Sequence, residues 1–448
     1  MIDISPELVT LIMFAGILVG VLSGYPLAIP IGAVALIVGY LTMGPAVFDI
    51  LESRLFGLIR NIVILAAPLF VFMGVMLERS GIAERMYDAL YMWLSGFRGG
   101  LGVITILIGT ILAATVGIIG ASVTMLSLVA LPAMIKRGYS KSFASGTVCA
   151  GGCLGILIPP SIMLVIYGPM AKISVGQLFF GAFIPGLILA GLYCGYIAIR
   201  SFLQPKIAPA VPPEERSQAP FIKKTSMLIA AIAPTGLLIM AVLGTIFFGI
   251  AAPTEAAAVG ALAATILTIV YRRFSWKVLR ETSLQTLKIT SMILLIGGLS
   301  YAFVGVFLAL GGGKVVESLV LNAPVGRWGI FAIIMFIFFI LGFFIDWIGI
   351  LFIMVPIISP LAPILGFDPL WFGMMIVVNL QMSFMTPPFA AAIFYLRGSA
   401  PPELGVTMAD IIRGVIPFVL LIMVGLGLLI IFPQLVLWLP SKMIVPGR

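Results

Sequence analysis

From Trp328 to Leu365 the chain runs 38 residues with one ionisable side chain, Asp346. A membrane-crossing helix needs about 20 mostly apolar residues, so this stretch is too long for a single crossing. It is also interrupted, at Asp346-Trp347-Ile348-Gly349. Each half is about 14–18 residues, or roughly 21–27 Å of helix, short for a crossing of its own. A second stretch, from Leu101 to Ile135, is interrupted in the same way at Gly117-Ile118-Ile119-Gly120-Ala121-Ser122. Broken backbone at membrane depth is tolerated only inside protein or beside a water-filled cavity. The pattern predicts two re-entrant helical hairpins, 101–137 and 328–365, each returning to the side it came from.

The rest of the chain supports a membrane setting. Hydrophobic residues make up 62% and charged residues 9%, with a mean hydropathy of +1.26. That leaves too little polar side chain to coat a water-soluble globule of this length. Ten apolar runs read as crossings: 8–24, 27–43, 56–78, 142–170, 177–203, 226–250, 254–271, 287–310, 369–396 and 411–438. The class is an all-α polytopic membrane protein whose solvent is the lipid bilayer. Asp3 and Glu7 precede the first run where a cleavable leader would be basic, so that run reads as a retained span. The absence of histidine excludes imidazole metal sites, Ser-His-Asp chemistry and histidine proton relays. Cys149, Cys153 and Cys194 all lie in apolar runs and read as buried thiols.

Charge orients the spans. With both hairpins counted as net-zero crossings and the N-terminus outside, seven basic residues fall outside: Arg54, Arg60, Lys172, Lys314, Arg327, Lys442 and Arg448. The other 18 of the 25 fall in inside loops, which is the positive-inside bias. The net charge of +9 therefore belongs to cytoplasmic loops and not to a nucleic-acid partner. The first hairpin is expected to open from the cytoplasm and the second from the exterior, with both termini periplasmic. Segments 80–98 and 272–286 are basic and amphipathic, and are expected along the inner interface.

The two halves repeat at a near-constant offset. Gly74 and Gly81 correspond to Gly305 and Gly312, Gly138-Tyr139 to Gly366-Phe367, and Pro159-Pro160 to Pro387-Pro388. Tyr167 corresponds to Tyr395, Pro185 to Pro417, and the hairpin centre at Ser122 to Asp346. The first repeat is placed at 1–203 and the second at 226–448, joined by a Pro-rich cytoplasmic connector at 204–225. Five crossings and a hairpin in each half make the repeats inverted, the pattern of secondary transporters with midplane sites. Gly311-Gly312-Gly313-Lys314 looks like the end of a phosphate loop. Leu308 and Val315 stand where that motif requires Gly and Ser/Thr, so transport must draw on a gradient. Glu255, in Pro253-Thr254-Glu255, is either an intramembrane functional acid or the cap of the helix that follows.

Several motifs resemble one family. They are Gly120-Ala121-Ser122, Leu131-Pro132-Ala133-Met134 with Lys136-Arg137-Gly138-Tyr139, and Gly155-Ile156-Leu157-Ile158-Pro159-Pro160-Ser161. Pro253-Thr254-Glu255-Ala256-Ala257, Gly366-Phe367-Asp368-Pro369 and Thr386-Pro387-Pro388 belong to the same set. In order and over nearly the whole chain, they resemble the large membrane subunit of tripartite ATP-independent periplasmic (TRAP) transporters. The resemblance implies an elevator-type, Na⁺-driven importer of organic acids in the bacterial inner membrane, with no cofactor beyond the coupling ion. It also implies two partners: a small four-helix membrane subunit and a periplasmic substrate-binding protein. Sodium would sit where each hairpin tip meets the following broken helix. The first site would use Gly120, Ser122, Gly155, Ile158 and Pro160, and the second Asp346, Gly349, Ser383, Thr386 and Pro388. Ile119 and Ala121 stand where many members carry serine, which leaves the first site to backbone oxygens and Ser122. Asn379 and Gln381 would hold the substrate, or else hydrogen-bond between helices.

Two other readings stay open on the sequence. A stand-alone sodium/divalent-anion symporter could use the same inverted hairpins without a binding protein. A channel or membrane enzyme would need pore-lining charge rings or a nucleophile-base set, and the chain shows neither.

Overall fold

The computed structural model describes residues 4–94, 96–117, 119–212, 214 and 220–444, with the side chains of 113–116 excepted. Ile118, in the first hairpin's interruption, lies outside the described residues. The described residues are helical and contain no strand. The opening helices are α1 (Pro6–Leu22), α2 (Ala28–Met43), α3 (Ala46–Ile59), α4 (Ala66–Arg79) and α5 (Ile82–Leu94). The first interrupted stretch forms α6 (Gly100–Val116) and α7 (Ile119–Lys136), followed by α8 (Lys141–Cys153), α9 (Ile162–Ala171) and α10 (Val175–Leu203). Then come α11 (Phe221–Phe247), α12 (Pro253–Val270), α13 (Trp276–Ala309) and α14 (Gly312–Leu321). The second interrupted stretch forms α15 (Arg327–Leu341), α16 (Trp347–Ile358) and α17 (Leu361–Ile364). The chain closes with α18 (Pro369–Ser383), α19 (Ala391–Ser399), α20 (Met408–Ile431) and α21 (Gln434–Leu437).

Local sequence explains several of these ends. Ser5, Ser140 and Ser275 each cap a helix by accepting from a backbone N–H three residues on. Asp368 caps α18 through the N–H groups of Leu370 and Trp371, with Pro369 at the first helical position. Thr407 and Asp410 form a reciprocal capping box at the start of α20. Glu255 takes the structural one of its two expected roles: its carboxylate accepts the Ala252 N–H at 2.9 Å.

Several expected spans differ in detail. The run at 56–78 is broken at Arg60-Asn61, where Asn61 caps a 3₁₀ turn, Ile62–Leu65, that leads into α4. The segment at 272–286 and the span at 287–310 were expected as separate elements. They form one 34-residue helix, α13, because no glycine or proline interrupts 276–296. The runs at 142–170 and 369–396 are each divided, into α8 and α9 and into α18 and α19, as the resemblance implied. Proline supplies no N–H, and Pro159-Pro160 and Pro387-Pro388 sit in these divisions, each pair joined by a cis peptide bond. Among the described residues, seven helices are long and apolar enough to cross a membrane.

Eleven of the 13 residues of α8, Phe143 to Cys153, are buried. It packs between α6, α7 and α20, and small residues make that possible. A side chain at Gly146 would strike the Gly414 backbone in α20, and one at Gly109 would lie 2.5 Å from the Gly151 carbonyl oxygen. Between apolar helices in lipid, close backbone approach of this kind supplies much of the association.

Candidate ion and substrate site

The two divided helices sit crosswise against the two interrupted stretches. α7 packs on α8 of its own half and on α19 of the other, while α16 packs on α9. The second helix of each interrupted stretch therefore meets the half-helix that follows the other half's break.

At the first break, α6 and α7 both reach the 3₁₀ turn Leu154–Ile156. Gly117 adopts φ +63°, and a β-carbon there would lie 3.4 Å from the Pro160 carbonyl oxygen. The interruption thus brings backbone to backbone at the break, and the positive φ favours glycine. The Ser122 hydroxyl is buried and has no hydrogen-bond partner. Ile158 and Leu157 close the turn on Leu154, and Ser161 donates to the Ile156 carbonyl at 2.5 Å. Among the described residues, the carbonyls of Gly155, Ile158 and Pro160 accept no hydrogen bond. All three residues are buried. Buried oxygens without partners are costly unless something else binds them, and a set of neutral oxygens suits a hard cation. Gly120, the remaining member of the expected set, faces elsewhere: a β-carbon on it would lie 3.0 Å from the Tyr395 ring in α19.

The second break is more open, with Pro387, Pro388 and Phe389 exposed. Asp346 stands at the N-cap of α16 and lines a cavity of about 510 Å³ with Phe389 and Tyr395. The Ser383 hydroxyl donates to the Phe339 carbonyl at 3.1 Å, and that of Thr386 to Met382 at 2.7 Å. Their lone pairs stay available. A side chain at Gly349 would meet Leu27, which lines the Asp346 cavity, and Gly349 itself lines an apolar cavity with Phe14. Of the expected second set, Ser383, Thr386 and Pro388 share the break, Asp346 reaches its edge, and Gly349 follows Asp346 by three residues on α16.

Asn379 and Gln381 are two residues apart and so point about 200° from one another on α18. Asn379 donates to the Met335 carbonyl at 2.7 Å, an interhelical bond to α15. Gln381 is fully buried, and neither its amide oxygen nor its nitrogen has a partner. Tyr395 was noted in sequence only as a repeat match. The structure adds it to the site, on Gly120 to one side and the Asp346 cavity to the other. Its pairing with Tyr167 was the available signal, but nothing local in the sequence gives its direction.

Comparison with known proteins shows the family. Residues 11–435 match the family described as the DctM component of tripartite ATP-independent periplasmic transporters. The chain is 30% identical to the C4-dicarboxylate TRAP transporter large permease protein DctM of Rhodobacter capsulatus, covering 96% of this chain and 98% of that protein. It is also 30% identical to the ectoine TRAP transporter large permease protein TeaC of Halomonas elongata, covering 96% of this chain and 98% of that one. Among solved structures, the YdaH transporter of Alcanivorax borkumensis superposes with a TM-score of 0.59 at 17% identity. That match covers 87% of this chain and 89% of that one, and it shares the fold alone.

Proposed function

Because this chain belongs to the DctM component family of tripartite ATP-independent periplasmic transporters, a family of multi-pass membrane transporters and not of enzymes, we propose that it is the Na⁺-driven translocating subunit for an organic acid. The observation that carries this reading is the first break, where the unpartnered Ser122 hydroxyl and three unpartnered carbonyls are buried beside the first hairpin. Na⁺ bound there would offset their desolvation and couple hairpin position to ion occupancy. The second ion would lie near Ser383, Thr386 and Pro388 with Asp346 at the edge, and substrate between the breaks near Gln381. The inverted repeats 1–203 and 226–448 would let the hairpins and divided helices move as one unit against the flanking helices. Both termini would face the periplasm of a bacterial inner-membrane protein. The small membrane subunit and the periplasmic binding protein complete the tripartite machine.

The test is uptake into proteoliposomes of radiolabelled organic acids under an inward Na⁺ gradient, with and without the two partners. Uptake that needs Na⁺ and all three components is expected. Uptake by this chain alone would replace the reading with a stand-alone symporter. Tripartite uptake indifferent to Na⁺ would remove the ion sites.

A further inference from the structure

We propose that a cavity of about 760 Å³, away from both breaks, is a capture site for small organic carboxylates. It rests on the reading above for the side from which substrate arrives. Its walls come from two groups of elements: α3, α13 and α14 on one side, and the ends of α9, α16 and α18 with α17 on the other. Arg54, Lys172 and Lys314 line it, with Glu317 as the one acid among the lining residues. Within 4.0 Å, none of the three cations pairs with an acid among the described residues. The lining thus carries two net positive charges, with no acid of the described residues at ion-pair distance from the cations, and Tyr301 and Ser359 add neutral hydroxyls.

Lys172 reinforces the argument. It ends α9 in the left-handed conformation, φ 58° and ψ 35°, a position that glycine usually takes. A lysine there costs roughly 1–2 kcal/mol of backbone energy that a glycine would avoid. The three cations are also among the seven that charge bias leaves on the outer face. Cations gathered at one cavity concentrate anions locally, by an attraction that falls with ionic strength.

The test reads the lysines themselves. The purified chain, in nanodiscs of phosphatidylcholine, is acylated with a neutral amine-reactive ester, and the modification rate of each lysine is followed by peptide mass spectrometry. Succinate is expected to slow Lys172 and Lys314 roughly threefold or more, against choline chloride of matched ionic strength, while leaving exposed Lys442 unchanged. Arg54→Gln should raise the succinate concentration needed for protection of both lysines. Equal rates with and without succinate, or equal protection by choline chloride, would overturn the proposal. Nanodiscs containing phosphatidylglycerol test the other source of anion. Protection by that lipid which succinate neither adds to nor displaces would assign the cations to a headgroup and overturn the carboxylate site. Protection without Na⁺-driven uptake would leave this site standing and remove only the transport reading.

Discussion

Asn379 ties α18 to α15 by donating its side-chain amide to the Met335 carbonyl, whereas the matching position in the first half, Gly151, lets the Gly109 backbone of α6 approach directly. One half closes its interrupted stretch onto its divided helix with a side-chain hydrogen bond, the other with bare backbone. Asn379→Ala should therefore loosen α15 without rebuilding the core, at a cost of about 1 kcal/mol, the range for interhelical hydrogen bonds in lipid. Gly109→Ala should cost considerably more, because its β-carbon would lie 2.5 Å from the Gly151 carbonyl oxygen and force α6 off α8. Thermal unfolding of both variants in one detergent checks the order. A Gly109→Ala protein as stable as the parent would show that the two helices can separate freely.

Ser122 and Ser383 belong to the two proposed ion sites but begin from different states. The Ser122 hydroxyl has no partner, while that of Ser383 already donates to Phe339. Loss of one oxygen worth about 1.4 kcal/mol changes a binding constant roughly tenfold. Ser122→Ala should raise the Na⁺ concentration for half-maximal uptake by up to that factor. Ser383→Ala should raise it less, and should add a stability loss from the orphaned Phe339 carbonyl. Sodium titrations of uptake in the two variants decide this, and unchanged half-saturation in both would remove the assignment of these hydroxyls.

Gly120 has a steric role. Its α-carbon faces the Tyr395 ring, where even a β-carbon would lie 3.0 Å away. Gly120→Trp or Gly120→Arg would push α7 from α19, one of the contacts across which the two halves meet. Uptake should fall to background while membrane insertion and expression hold, as read by fractionation and gel filtration. Retained uptake would mean that α7 and α19 separate at no cost during transport.

Much of this arrangement was legible before any coordinates. Interruptions at Gly117 and Asp346 announced the divisions between α6 and α7 and between α15 and α16, because polar or turn-forming residues stand out in runs otherwise free of them. Offset matches such as Pro159-Pro160 with Pro387-Pro388 placed the breaks. Direction was not legible. Asn379 toward α15, Gly349 toward Leu27 and Tyr395 toward Gly120 depend on which neighbour each helix face meets, and hydropathy is equal on all sides of a helix such as α18, where every residue from Leu370 to Ser383 is buried. The cation cavity was illegible for a related reason. Arg54, Lys172 and Lys314 are 118 and 142 residues apart along the chain, and only packing brings them together.

Glu255 separates a capping role from an ionisable one. Its carboxylate sits three residues into α12 and accepts the Ala252 N–H, the return half of a capping box, with Pro253 at the helix start. A glutamine side-chain oxygen can accept the same hydrogen bond, whereas alanine cannot. Glu255→Gln should therefore keep Na⁺-dependent uptake within about twofold of the parent, and Glu255→Ala should lose about 1 kcal/mol of stability with little change in ion dependence. The decisive comparison is the sodium titration of the glutamine variant. A large rise in half-saturation there, with stability unchanged, would mean that the negative charge itself takes part in coupling and that the cap is a secondary use of the same side chain.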